Sequence, residues 1–249
     1  MSAAAAAIRS THACVARSER RGERGLTLVE VIVTVAIIAL MTTAVAFGSG
    51  AVANARVRSS TSMIAGAIRV AYGRASATSK SQRLVFDLDH ARVILEESAG
   101  AVLVRKNDAA GGAEAATAEE REAIAQADRI TKGPRAPRAR FNPVKAVGFE
   151  VPDTNGGRPL GRGVKFRRVE TGHSPEGQTT GRAYLYFWPG GRTERAVIQV
   201  EAASAERPED AMTLVVSPLT GKVRVLAGAR SLDPPRDDGT SSERDERAP

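Results

Sequence analysis

The sequence predicts an α+β chain, a long N-terminal α-helix packed on an antiparallel β-sheet domain. Three observations carry that prediction. Residues 26–47 are an almost unbroken apolar run. Ile64, Ala67, Ile68, Ala71 and Tyr72 then recur at i, i+3, i+4, i+7 and i+8, the stripe of a helix that buries one face. From residue 80 the period changes from 3.6 to 2, with Leu84, Phe86 and Leu88 alternating with Arg83, Val85 and Asp87.

The first helix is expected over residues 26–79. Its 22-residue apolar beginning, 26–47, is long enough to cross a hydrocarbon core of roughly 30 Å. Arg17, Arg20, Arg21 and Arg24 precede it and predict that the N-terminus stays cytoplasmic, with everything after the span on the far side. The stretch RGLTLVEVIVTVAIIALM nevertheless contains Glu30. A carboxylate in hydrocarbon costs roughly 2.5–3.5 kcal/mol on insertion scales, so its presence asks for a reason. A secretory signal peptide is one reading, supported by Ala44-Val45-Ala46 as an A-x-A cleavage site. The long leading region and the glutamate beside the apolar core weigh against it, and a plain anchor gives Glu30 no role. Thr27, Glu30 and Thr34 share one helix face, where small polar residues favour packing against other helices; simple tolerance within the helix explains the threonines equally well. No proline interrupts the chain before residue 134, and Gly48-Ser49-Gly50 is the weak point. Strands are expected at 84–88, 91–96, 144–151, 163–170, 182–188, 195–201, 212–217 and 222–226, separated by punctuation such as Asn155-Gly156-Gly157 and Pro189-Gly190-Gly191. They make an antiparallel domain over 80–228. Within it 97–142 reads as a solvated insertion holding an Ala/Glu run and a basic Pro-containing run, and 229–249 reads as a disordered tail.

Composition narrows the chemistry. The chain of 249 residues carries a formal net charge of +8, and its first 25 residues supply five Arg against two Glu. The single cysteine, Cys14, excludes a disulfide framework. His12, His90 and His173 are isolated, and no metalloprotease, phosphate-loop or nucleophile-elbow motif occurs, so no catalytic, cofactor-binding or metal residue is assigned and an enzyme is not expected. Asp87 and Asp89 flank one residue at a turn; turn chemistry explains them better than Ca²⁺. Tyr184, Tyr186 and Trp188 form a stripe that reads as core before it reads as a stacking surface. Gly156, Gly157, Gly161 and Gly163 lack phosphate-loop spacing and read as a loop. Basic runs at 132–140 and 222–230 raise DNA as a rival partner; interleaved prolines and acids make a solvated surface the better reading, and nucleic acid is not expected.

Gly25-Leu26-Thr27-Leu28-Val29-Glu30 resembles the prepilin signature of type IV pilins and type II secretion pseudopilins, a glycine followed by F-T-L-x-E. Leu26 stands where that signature usually has phenylalanine. Arg83-Leu84-Val85-Phe86-Asp87, Phe187-Trp188-Pro189-Gly190-Gly191 and the final Ser217–Val225 hairpin resemble the GspH/FimT group of minor pseudopilins; residues 97–142 match nothing in it. The resemblance implies a pilin-like fold in which 1–25 is a cytoplasmic leader that prepilin peptidase removes between Gly25 and Leu26. It further implies that Leu26 is then N-methylated and that Glu30, with Thr27, serves assembly by pairing with a neighbouring subunit's terminal amine. The implied partners are the peptidase, other major and minor pseudopilins and an inner-membrane assembly platform, and the implied place is the inner membrane, crossed once, with the β domain periplasmic. A minor pilin of a type IV pilus, FimT-like and linked to DNA uptake, shares every one of these motifs.

Overall fold

A computed structural model describes residues 27–100, 102–106, 108, 110–130, 138–144 and 156–232, with side chains throughout except at 43–51. The chain divides into two compact units, Met1–Phe47 and Gly48–Pro249. Helix α1, Leu28–Thr78, contributes to both. It stops at Ser79, whose φ of 53° is the left-handed conformation that ends helices and usually belongs to glycine.

In the first unit every described side chain from Thr27 to Thr42 is exposed. Leu28 is 77% exposed, Leu40 74% and Met41 64%. Among the described residues no helix is long and apolar enough to cross a membrane. The expected span over 26–47 includes Leu26 and the side chains of 43–47, which lie outside them.

The second unit begins with the last part of α1, whose periodic stripe now has partners. Ile64, Ile68 and Ala71 are fully buried. They share one core with Leu84, Phe86, Leu95, Leu185 and Phe187 of one sheet and Phe166, Ile198, Val200 and Leu214 of another. Each large aliphatic residue buried there contributes about 1.5–3 kcal/mol. The first sheet is built on β1 (Ser81–Asp87), flanked by β2 (Arg92–Ser98) and β6 (Arg182–Trp188). The short strands β3 (Asn142–Pro143) and β4 (Arg158–Pro159) pair with β2, and β7 (Arg192–Thr193) pairs with β6. The second sheet runs in the order β10 (Val223–Ala227), β9 (Met212–Val216), β8 (Ala196–Ala202), β5 (Val164–Thr171). Every strand pairing is antiparallel. Phe86 and Phe166 meet edge to face across the two sheets, with ring centres 5.6 Å apart.

The structure corrects the sequence reading of 97–142. This segment is not simply solvated: parts of it cover the outer face of the first sheet. All seven residues of β1 are buried. Leu84 and Phe86 face the main core, and Val85 joins Ile94, Tyr184 and Tyr186 in a second cluster closed by Val102 and Ala139. Helix α2 (Ala118–Ile130) stands on this cover. Its start is a reciprocal capping box: Glu120 N–H donates to Thr117 Oγ1 at 3.2 Å, and Thr117 N–H donates to Glu120 Oε2 at 3.3 Å. The disorder expected of 229–249 also does not extend to 229–232. Arg230 N–H donates to Thr213 Oγ1 at 3.2 Å, Gln199 Nε2 donates to Arg230 O at 2.9 Å, and Leu232 N–H donates to Glu170. This strap thus adds hydrogen bonds to buried polar side chains on three strands, Thr213 of β9, Gln199 of β8 and Glu170 of β5. Residues 145–151 of the strand expected at 144–151, and 233–249, lie outside the described residues.

The cover depends on close backbone approach at Gly112, whose φ is 95°. A Cβ there would sit 2.1 Å from the Leu103 carbonyl oxygen. Gly112→Ala is therefore expected to destabilise the β unit by roughly 1–3 kcal/mol and to open 102–116 to proteolysis. Denaturant unfolding with limited proteolysis checks this; a segment that were merely solvated would show neither change.

Candidate functional site

At the start of α1, Thr27 is the N-cap. Glu30 N–H donates to Thr27 Oγ1 at 3.3 Å, and Val31 N–H donates to the Thr27 carbonyl at 3.2 Å. Thr27-Leu28-Val29-Glu30 thus has the same T-x-x-E spacing as the box at Thr117–Glu120. Glu30 lies in the first turn, where the unpaired N–H groups of the helix favour negative charge. The other threonines differ. Thr34 Oγ1 donates to Val31 O at 2.9 Å, and Thr42 donates to Ile38 O. Their hydroxyls are satisfied within their own helix and do not need a neighbour. Gly25 and Leu26 lie outside the described residues.

In the β unit the strand register assembles a charged row on the outer face of the first sheet. Arg83 lies opposite Glu96 on β2 and opposite Tyr186 on β6. The guanidinium is ion-paired with Glu96, 2.5 Å away, and is held between the rings of Phe141 and Tyr184, with its carbon 4.4 and 4.5 Å from their centres. Burial alone would lower its pKa; Glu96 and the tyrosines raise it above the ordinary value. Tyr184 donates to Glu120, and Tyr186 donates to Ala110 O at 2.7 Å. Burial, followed for Tyr184 by the charge of Glu120, pushes both phenols up, Tyr186 to about 12. Both are neutral donors at physiological pH. Tyr184 and Tyr186 are core and their hydroxyls tie the cover down, while Trp188 is half-buried at its edge.

The remaining candidates resolve locally. Asp87 accepts from His90 N–H at 2.9 Å and so shapes its turn, and Asp89 accepts from Gly181 N–H at 3.1 Å, tying that turn to a second loop 92 residues on. Gly161 N–H donates to Ser60 Oγ at 2.9 Å, placing that glycine against α1. Arg138 is paired with Asp108 and Arg140 with Glu114, each at 2.8 Å. His173, isolated in the sequence, is 2.7 Å from Glu194. Twenty-one residues separate the two, and no spacing rule could have found the pair. Among the described residues no group of His, Cys, Asp and Glu could hold a metal ion.

Residues 20–46 match the family model described as the prokaryotic N-terminal methylation motif. No curated protein and no solved structure matches the chain. The motif supports a type IV pilin-like or pseudopilin-like protein, and implies processing by prepilin peptidase and assembly with other pilins. The α+β architecture, an N-terminal helix with antiparallel sheets, fits a pilin-like chain.

The cover also predicts an acid dependence. Burial alone would raise the Asp108 carboxyl, but hydrogen bonds and charge from Arg138 hold it below its ordinary value. Its pKa is lowered on folding, so the stabilisation is present above the ordinary carboxylate pKa and is lost as pH falls through the folded value. Asp108→Asn, which removes the paired hydrogen bonds to Arg138, should cost about 1 kcal/mol at pH 7, and the difference from wild type should narrow as pH falls below about 4, the unfolded carboxylate value. Thermal unfolding of both proteins across that range measures it; a difference independent of pH would remove the charge from the explanation.

Proposed function

We propose that the chain is a minor pseudopilin of the GspH/FimT group, a structural subunit of the periplasmic pseudopilus of a type II secretion system. It is a building part and not an enzyme. Prepilin peptidase cuts between Gly25 and Leu26 and methylates Leu26, and the apolar start of α1 anchors the chain in the inner membrane, N-terminus cytoplasmic. The β unit then faces the periplasm and meets other minor pseudopilins.

One observation carries the reading: a methylation motif whose Glu30 stands three residues after the helix cap Thr27, at the head of an apolar helical segment exposed on every side. In lipid or in a fibre neither a lone carboxylate nor a lone ammonium is comfortable, and pairing them removes part of that cost. A pair formed between subunits exists in one register only, so Glu30 acts as an assembly device. The GspH/FimT motifs in β1 and around Trp188 support the finer assignment.

The test is crosslinking of full-length protein with the other pseudopilins, with processing followed in parallel. Glu30→Leu should still be inserted and cleaved, because leucine lowers the insertion cost. Its crosslinking to neighbours should fall several-fold, with Glu30→Asp between the two. Cleaved Glu30→Leu protein that assembles normally would remove the pairing role.

A further inference from the structure

A groove of about 860 Å³ opens on the β unit beside the covered outer face of the first sheet, and Val102 and Trp188 belong to both. Val102, Leu103, Pro175, Trp188, Pro218 and Leu219 give it apolar walls. Leu103 and Leu219 are 66% and 72% exposed, apolar side chains left facing water. Exposed apolar surface rimmed by polar groups marks an interaction site. Lys106, Arg192 and Arg195 are also part of the lining, and Glu194 is its one acid.

Glu194 is already committed. Its Oε2 accepts from His173 N–H at 3.1 Å and from His173 Nδ1 at 2.7 Å, and its Oε1 accepts from Tyr186 N–H at 3.1 Å. Thr171 Oγ1 lies 3.1 Å from the same Nδ1. A carboxylate only accepts, so Nδ1 carries a proton toward Glu194, and in the neutral ring Nε2 presents its lone pair. His173 is 3% exposed and lines the groove. Among the described residues the hydrogen bonds of the ring run through Nδ1, and none reaches Nε2. A nearly buried acceptor at an apolar groove calls for a donor brought by whatever enters.

We propose that this groove binds an extended segment of a partner polypeptide in which a tyrosine is flanked by acidic residues. The ring fills the apolar groove beside Trp188, and its O–H donates to His173 Nε2. The flanking carboxylates meet Lys106 and Arg192. Phenylalanine would fill the same space and leave Nε2 unpaired; a basic segment would meet like charge. The groove is lined entirely by residues between 102 and 232, so the proposal does not depend on how the N-terminal helix assembles.

Trp188 is the chain's single tryptophan, and its fluorescence reports on the groove directly. The full chain in detergent micelles is titrated with a blocked hexapeptide, Asp-Glu-Tyr-Leu-Glu-Asp. The expected result is a saturable change in emission. Replacing the peptide's tyrosine by phenylalanine should weaken binding by about tenfold, and replacing its acids by lysines should abolish it. Arg192→Glu and Leu219→Ser, both at exposed positions, should each weaken binding at least about fivefold with no change in the unfolding midpoint. No saturable response, equal affinity in both variants, equal affinity for the phenylalanine peptide, or saturation by single-stranded DNA without any response to peptide would overturn the proposal.

Discussion

The structure depends on one helix that must satisfy two different surroundings. Over its last turns α1 is one-faced: Ile64, Ile68 and Ala71 are buried while Arg69 and Arg74 stay out of the core. Over its first turns it is apolar on every side, with Val29, Ile32, Val35 and Ile38 all more than half exposed. Side chains of that size lose about 1.5–3 kcal/mol each when left in water. The first segment therefore calls for lipid or for neighbouring helices, and Glu30 is the one charged side chain from Thr27 to Phe47. That charge sits in the first turn beside the cap, where the unpaired N–H groups of the helix favour it.

The β unit solves a different problem. β1 is buried on both faces, which an antiparallel sheet with one solvated face would not require. The second face carries an arginine, and Arg83 is tolerated there because Glu96, Tyr186 and two aromatic rings surround it. Breaking such a set leaves a charge buried and unpaired, so these residues and the cover above them behave as a unit. Tyr184–Glu120 and Tyr186–Ala110 fasten the cover from the sheet side. The capping box at Thr117 lets Glu120 hold a helix start and a buried phenol together.

The fold class was legible because its two periods are clean. The 3.6-residue stripe of α1 encodes one buried face, the alternation of β1 marks the face turned to the main core, and Ala183-Tyr184-Leu185-Tyr186-Phe187 shows both buried faces at once. The cover was not legible. Residues 102–116 have no period, and they are held by contacts such as Tyr186 to Ala110, 76 residues apart. One local signal was available: Thr-Ala-Glu-Glu at 117–120 is a capping box ahead of α2. The strap at 229–232 escaped notice because backbone groups hold it and side-chain composition does not. At the start of α1, Thr27 and Glu30 stood out by motif, and the cap adds a reason of local geometry for their spacing. The pair of His173 and Glu194 arises only from the fold.

The central claim is that a prepilin-type cut, and not removal of the apolar segment, matures this chain. Intact mass and terminal peptide sequencing of the protein from its native membrane test it most directly. The account predicts a chain beginning at Leu26 with one methyl group on its amine and Glu30 retained as the fifth residue. A chain beginning at Phe47, cut after Ala44-Val45-Ala46, would contradict it.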